Sequence, residues 1–127
     1  MPTRTILVNK VQKGETFKLV STVKNELGAA LDLTAVTSAK LSYYHALTPY
    51  AAINSRNDQD ITGGNQHTLE SNGTLTWKGT TSDTNFAQTV DTDVVARYTY
   101  VYNDAQSVAR TGIHEVKFSI EALPTVS

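Results

Sequence analysis

The chain has 127 residues, no cysteine, and 11 Lys plus Arg against 12 Asp plus Glu, for a formal net charge of -1. One domain of this size buries roughly two-thirds of its unfolded surface. The charge balance excludes the basic stripe with which nucleic-acid binders displace counterions, and the missing cysteine excludes disulfide frameworks, cysteine-ligated zinc and thiol catalysis. The start, MPTRTILVNKVQKGE, has too short an apolar run for a signal peptide, and no stretch approaches a membrane span, so synthesis in a reducing cytosol is expected.

In chain order, residues 1–10 read as an N-terminal arm or edge strand. The segment TRTILV precedes the first good turn, Lys13-Gly14-Glu15. It either pairs within its own sheet or adds to a neighbour's sheet edge, where main-chain hydrogen bonds supply the affinity. Residues 11–127 read as a single domain. Phe17, Leu19 and Val23 share one strand face, and Lys18, Thr22 and Lys24 the other. The stretch NELGAALDLT, residues 25–34, reads as a corner: Gly28 permits the turn, and Asp32 to Thr34 can return hydrogen bonds to the backbone. Ala39, Leu41 and Tyr43 then alternate with Lys40, Ser42 and Tyr44. Residues 45–66 are polar and poorly periodic, a long loop in which YAAIN is a candidate short strand.

Ser71-Asn72-Gly73 predicts a hairpin, because Asn-Gly tolerates positive φ; the formal glycosylation sequon there, Asn72-Gly73-Thr74, reads as that turn. Leu75 and Trp77 alternate with Thr74, Thr76 and Lys78. Ala96, Tyr98, Tyr100 and Tyr102 alternate with Val95, Arg97, Thr99 and Val101, up to a weaker turn at Asn103-Asp104-Ala105. Last, Val116, Phe118 and Ile120 face in, with Glu115, Lys117, Ser119 and Glu121 facing out. Many short strands rich in Thr, Val, Tyr and Phe, with regular turns and no convincing helix, predict an all-β sandwich or barrel.

No constellation of acid, base or nucleophile stands out, and no enzyme is expected. His45, His67 and His114 show no metal-ligand spacing and read as exposed or core-edge histidines. The acidic clusters NDQD (57–60) and DTD (91–93) lack the spacing of a calcium loop and read as solvated acids, so no cofactor or metal is expected. Tyr43, Tyr44, Tyr98, Tyr100, Tyr102 and Trp77 form an aromatic set. Exposed on one face, such a set suits a carbohydrate-binding module. The period-two spacing of Tyr98, Tyr100 and Tyr102 favours stacking inside a sandwich.

The order of turns and strands resembles small immunoglobulin-like proteins encoded among the structural genes of tailed bacteriophages. It runs through Gly14-Glu15-Thr16-Phe17, Asn25-Glu26-Leu27-Gly28 and Asp32-Leu33-Thr34. Gly73-Thr74-Leu75-Thr76-Trp77, Ser82-Asp83-Thr84, Arg97-Tyr98-Thr99-Tyr100 and Glu115-Val116-Lys117-Phe118-Ser119-Ile120 continue it. Two departures stand out: Arg97 replaces a glycine usual before the Tyr strand, and NFAQTVDTDVV looks like an insertion.

The resemblance implies an immunoglobulin-like antiparallel β-sandwich and a virion location. It implies a capsid decoration (cement) protein that binds the outer capsid surface, with the major capsid protein or other virion proteins as partners. Homo-oligomeric or lattice contacts on the particle are expected, and contact with nucleic acid or membrane is not. The chain ends six residues after its last strand residue, which favours a stand-alone decoration module. The alternatives are a tail or baseplate adaptor and a carbohydrate-binding module for host adhesion. Contacts are expected from the arm, Thr3, Arg4, Thr5 and Ile6, and from the long loop, Tyr50 and Arg56, since loops on a rigid scaffold usually supply them.

Overall fold

The computed structural model describes residues 3–6, 11–46, 51–85 and 91–121. The strands are β1 (Thr3–Ile6), β2 (Val11–Gln12), β3 (Phe17–Thr22), β4 (Ser38–His45), β5 (Gln59–Asp60), β6 (His67–Leu69), β7 (Thr74–Gly79), β8 (Thr92–Asn103) and β9 (Ala109–Glu121). One helical turn, α1 (Thr81–Thr84), lies between β7 and β8. The strands form two sheets. One has six strands in the order β1-β9-β8-β4-β5, with β2 also on β9; the other has three, β3-β7-β6. The fold is the expected all-β sandwich, with one addition. Both N-terminal strands run parallel to β9, so the larger sheet is mixed.

Alternation places the core. In the larger sheet the rows Tyr43–Ala96–Val116, Leu41–Tyr98–His114 and Ala39–Tyr100–Gly112 run across β4, β8 and β9. In the smaller sheet Leu19, Trp77 and His67 form one row, and Ser21, Leu75 and Leu69 the next. These inner faces meet in one cluster, in which Leu41, Tyr43, Val94, Ala96 and Ile120 are wholly buried. Phe17 and Tyr43 both meet Trp77 edge-on, with centroids 4.9 and 5.0 Å away. Such contacts contribute on the order of 1 kcal/mol each beyond area burial.

The expected corner at residues 25–34 is built as its composition suggests. Asn25 Oδ1 accepts the N–H groups of Leu27 and Ala29 at 2.9 and 3.0 Å, and Gly28 adopts φ +82°. Asp32 Oδ1 accepts the Thr34 N–H at 2.9 Å. Glu115 points outward as expected but is 8% exposed rather than solvated. Its strand is flanked by β1 and β8, and Arg97 of β8 pairs with its carboxylate at 2.9 Å.

Two glycines let rings lie on the backbone opposite them. A Cβ at Gly112 would stand 2.3 Å from the Tyr100 ring, and one at Gly79 would stand 2.0 Å from the Phe17 ring. Each glycine is the cross-strand partner of the ring that covers it. Gly112→Ala is therefore expected to cost about 1–3 kcal/mol through overpacking. A melting temperature equal to that of the parent chain would show that the Tyr100 ring moves aside freely.

Candidate functional site

Residues 51–61 return alongside β4, and the expected hidden strand is reduced to fragments. Ala52 makes an isolated bridge to Tyr44, the Tyr43 N–H donates to the Arg56 carbonyl at 2.9 Å, and regular ladder pairing resumes at Gln59 opposite Leu41. Between those points six residues, 53–58, face two on β4, Ser42 and Tyr43. A surplus of that size has to leave the sheet plane. Asn54, Ser55 and Asp58 absorb it in the left-handed region, at φ 54°, 56° and 51°. Backbone of this kind costs on the order of 1 kcal/mol per non-glycine residue and persists where surrounding structure over-determines it.

Arg56 and Asp83 supply that determination. Arg56 reaches Asp83 through Nε to Oδ1 at 2.5 Å and Nη2 to Oδ2 at 3.0 Å; its other donations go to Gln59 Oε1 and to Gln66 Oε1 at 3.1 Å. Asp83 also accepts from Asn54 Nδ2 at 2.9 Å and from the Thr80 N–H at 2.7 Å. The second bond is local helix-start chemistry: Thr80 precedes α1 and Asp83 is its third residue, a T-x-x-D spacing. Arg56 also sits 5.3 Å from the centre of the Trp77 ring, within cation–π range. Burial pushes the Asp83 carboxyl upward, but the Arg56, Asn54 and Thr80 donors outweigh it and hold the group below the ordinary carboxylate range.

A second polar line crosses the core beside this pair. His67 Nδ1 lies 2.8 Å from the Asn65 carbonyl and Nε2 lies 2.8 Å from the Tyr98 hydroxyl. A carbonyl only accepts, so Nδ1 carries the proton and Nε2 accepts from Tyr98. His114 Nε2 stands 2.9 Å from Ser21 Oγ of the opposite sheet. Burial lowers both imidazoles to about 4, partly opposed at His67 by its bond to Asn65. Both rings are core histidines that bind the sheets together.

The bulge leaves a half-open cleft of about 280 Å³ on the outer face of the larger sheet. Its wall includes Ser42 and Tyr44 of β4, Arg97 and Thr99 of β8, and Asn57 and Asp58 of the bulge. The Asp58 N–H donates to Ser42 Oγ at 3.1 Å. The Arg97 guanidinium lies 5.7 Å from the centre of the Tyr44 ring, and its Nη2 pairs with Glu115 at 2.9 Å.

The expected contact residues fall in three different situations. Thr3, Arg4, Thr5 and Ile6 form β1, and their backbone pairs with residues 114–117 of β9 in the same chain. Tyr50 lies outside the described residues. Arg56, expected at a partner surface, is 3% exposed and turned inward, because its guanidinium satisfies the Asp83 carboxylate. The aromatic set is likewise internal: Trp77, Tyr43, Tyr98, Tyr100 and Tyr102 are all buried, and Tyr44 alone of the six is half-exposed. Among the described residues no group of three or more His, Asp or Glu could hold a metal ion. The Arg56–Asp83 pair was not anticipated from the sequence, although the Thr80-x-x-Asp83 spacing was a signal for half of it.

The class defined by these features is an all-β sandwich with a pinned bulge beside its outer face. Comparisons with protein-family models, curated proteins and solved structures find no match. No helix among the described residues is long and apolar enough to cross a membrane.

Proposed function

We propose that the chain is a structural binding module of a tailed-phage particle, a capsid decoration protein that lies across capsid subunits and clamps them. The observation that supports this reading is the position of β1. It is the last strand of the larger sheet, joined to β9 by parallel backbone pairing, and no described strand pairs with its outer side. Such an edge offers main-chain donors and acceptors to another protein. The same four residues can also leave β9 and add to a neighbour. The rigid sandwich behind them supplies a body able to span a junction, where a stable interface needs on the order of 1,000 Å².

The test begins with copy number, by quantitative mass spectrometry of disrupted virions against the major capsid protein. A ratio near that of the capsid protein supports decoration of the head. A far lower ratio moves the protein to the tail or baseplate, and absence from the particle removes the phage reading. Deleting residues 1–6 is then expected to abolish binding to stripped capsids while a cooperative melting transition remains. Full binding by the truncated chain would sink the role given to β1.

A further inference from the structure

We infer that the cleft beside the bulge is a preorganised site for a single neutral sugar ring, carried on the outer face of the larger sheet. This role is independent of the particle function. Of the aromatic set that first suggested carbohydrate binding it uses only Tyr44, the one member that is not buried. Two observations meet at this place. The bulge that walls the cleft holds three left-handed non-glycine residues within 54–58. The same bulge is pinned from beneath by a buried ion pair, Arg56 at 3% and Asp83 at 0% exposure. Strained backbone fixed by an over-determined support is the arrangement of a site whose geometry is set before the ligand arrives.

The lining selects the ligand class. Asp58 and Asn57 are exposed on one wall, a carboxylate that accepts and an amide that does both. Ser42 and Thr99 contribute hydroxyls from the floor, and the half-exposed Tyr44 ring offers an apolar surface. Arg97 adds a guanidinium whose charge is matched by Glu115. Arg97 is matched by Glu115 and Arg56 by Asp83, which leaves the Asp58 carboxylate, so the cleft holds no excess cation to prefer an anion. It is also too polar to prefer a hydrocarbon. A polyhydroxylated ring presents alternating donors and acceptors on its rim and C–H groups on its faces, and this wall complements both. The volume of about 280 Å³ lies just below the usual range of small-molecule sites, ~300–1,000 Å³, which suits one ring rather than a chain of them.

The experiment is a titration of the full chain, followed by backbone amide resonances, with the methyl glycosides of glucose, galactose, mannose and N-acetylglucosamine. Sodium acetate serves as the anionic control. At least one glycoside is expected to give saturable shifts centred on Ser42, Asn57, Asp58 and Arg97, with a dissociation constant in the millimolar range. Asp58→Asn keeps a residue that tolerates the left-handed backbone and removes the carboxylate; it is expected to weaken binding about tenfold, as is Asn57→Ala. Both variants are expected to melt within a few degrees of the parent, because the two side chains are exposed. Shifts with acetate alone, shifts centred elsewhere, undiminished affinity in both variants, or no shifts with any glycoside at tens of millimolar would each overturn the site.

Discussion

Asp83→Ala is expected to lower stability by about 3–5 kcal/mol, because it leaves the Arg56 guanidinium buried without its counter-charge. In a domain whose total stability is of order 5–15 kcal/mol, that is a large share. It corresponds to a fall in melting temperature on the order of 10–20 °C. Arg56→Met should cost a similar amount by orphaning the Asp83 carboxylate, which then retains only its Asn54 and Thr80 donors. The double variant Arg56→Met/Asp83→Leu should be less damaging than either single change, since no unpaired charge is left inside.

Calorimetry on the four proteins measures the coupling between the two sites. Amide exchange adds a local readout. In the single variants the protection of Ile53 and Arg56, whose N–H groups bond to the Tyr43 and Ile53 carbonyls, should fall further than that of β8 and β9. A loss below about 1 kcal/mol in both single variants would mean that water replaces the missing partner, and the pair would then rank as an ordinary surface bridge.

The second large effect is acid sensitivity. His67 and His114 titrate near 6.5 when the chain is unfolded and are held at about 4 in the fold, by burial in each case. Between those values the unfolded state binds protons that the folded state refuses, so stability falls as pH falls. The stability present above pH 6.5 is therefore lost progressively down to about pH 4, and below that the histidine contribution flattens. Each ring contributes on the order of 3 kcal/mol to this loss. Asp83 adds to it at still lower pH: its carboxyl is held below the ordinary range in the fold, so its stabilisation is present above the unfolded value and disappears as it protonates.

Melting temperature measured from pH 7.5 to 4 should drop steeply. In His114→Gln, which keeps a polar group near Ser21 but cannot titrate, the slope should be roughly halved. A flat profile in the parent chain would show that the two rings charge without opening the sheets.

Much of the fold is legible along the chain because strand alternation is a local property. A residue two positions on points the same way, so Ala39, Leu41 and Tyr43, then Ala96, Tyr98, Tyr100 and Tyr102, then Val116, Phe118 and Ile120 declare their inner faces without knowledge of their partners. The turns declare themselves for the same reason. Asn25 and Asp32 bond to backbone N–H groups two to four residues away. The outward positions Ser42, Tyr44, Arg97 and Thr99 were readable in this way too, but not their meeting in a cleft.

The bulge and its anchor were not readable. Arg56 in a polar loop has the composition of an exposed contact residue, and the acids near it in sequence, Asp58 and Asp60, are not the ones it pairs with. Its partner stands 27 residues away on a helical turn. A buried charge is stable only where a specific partner is brought to it, and tertiary contact alone brings Asp83 there. His67 and His114 follow the same rule, since their partners Tyr98 and Ser21 lie 31 and 93 residues away. Polarity patterns are short-ranged, and the pairings that decide whether a charged or titratable group lies inside or outside are made across the sandwich.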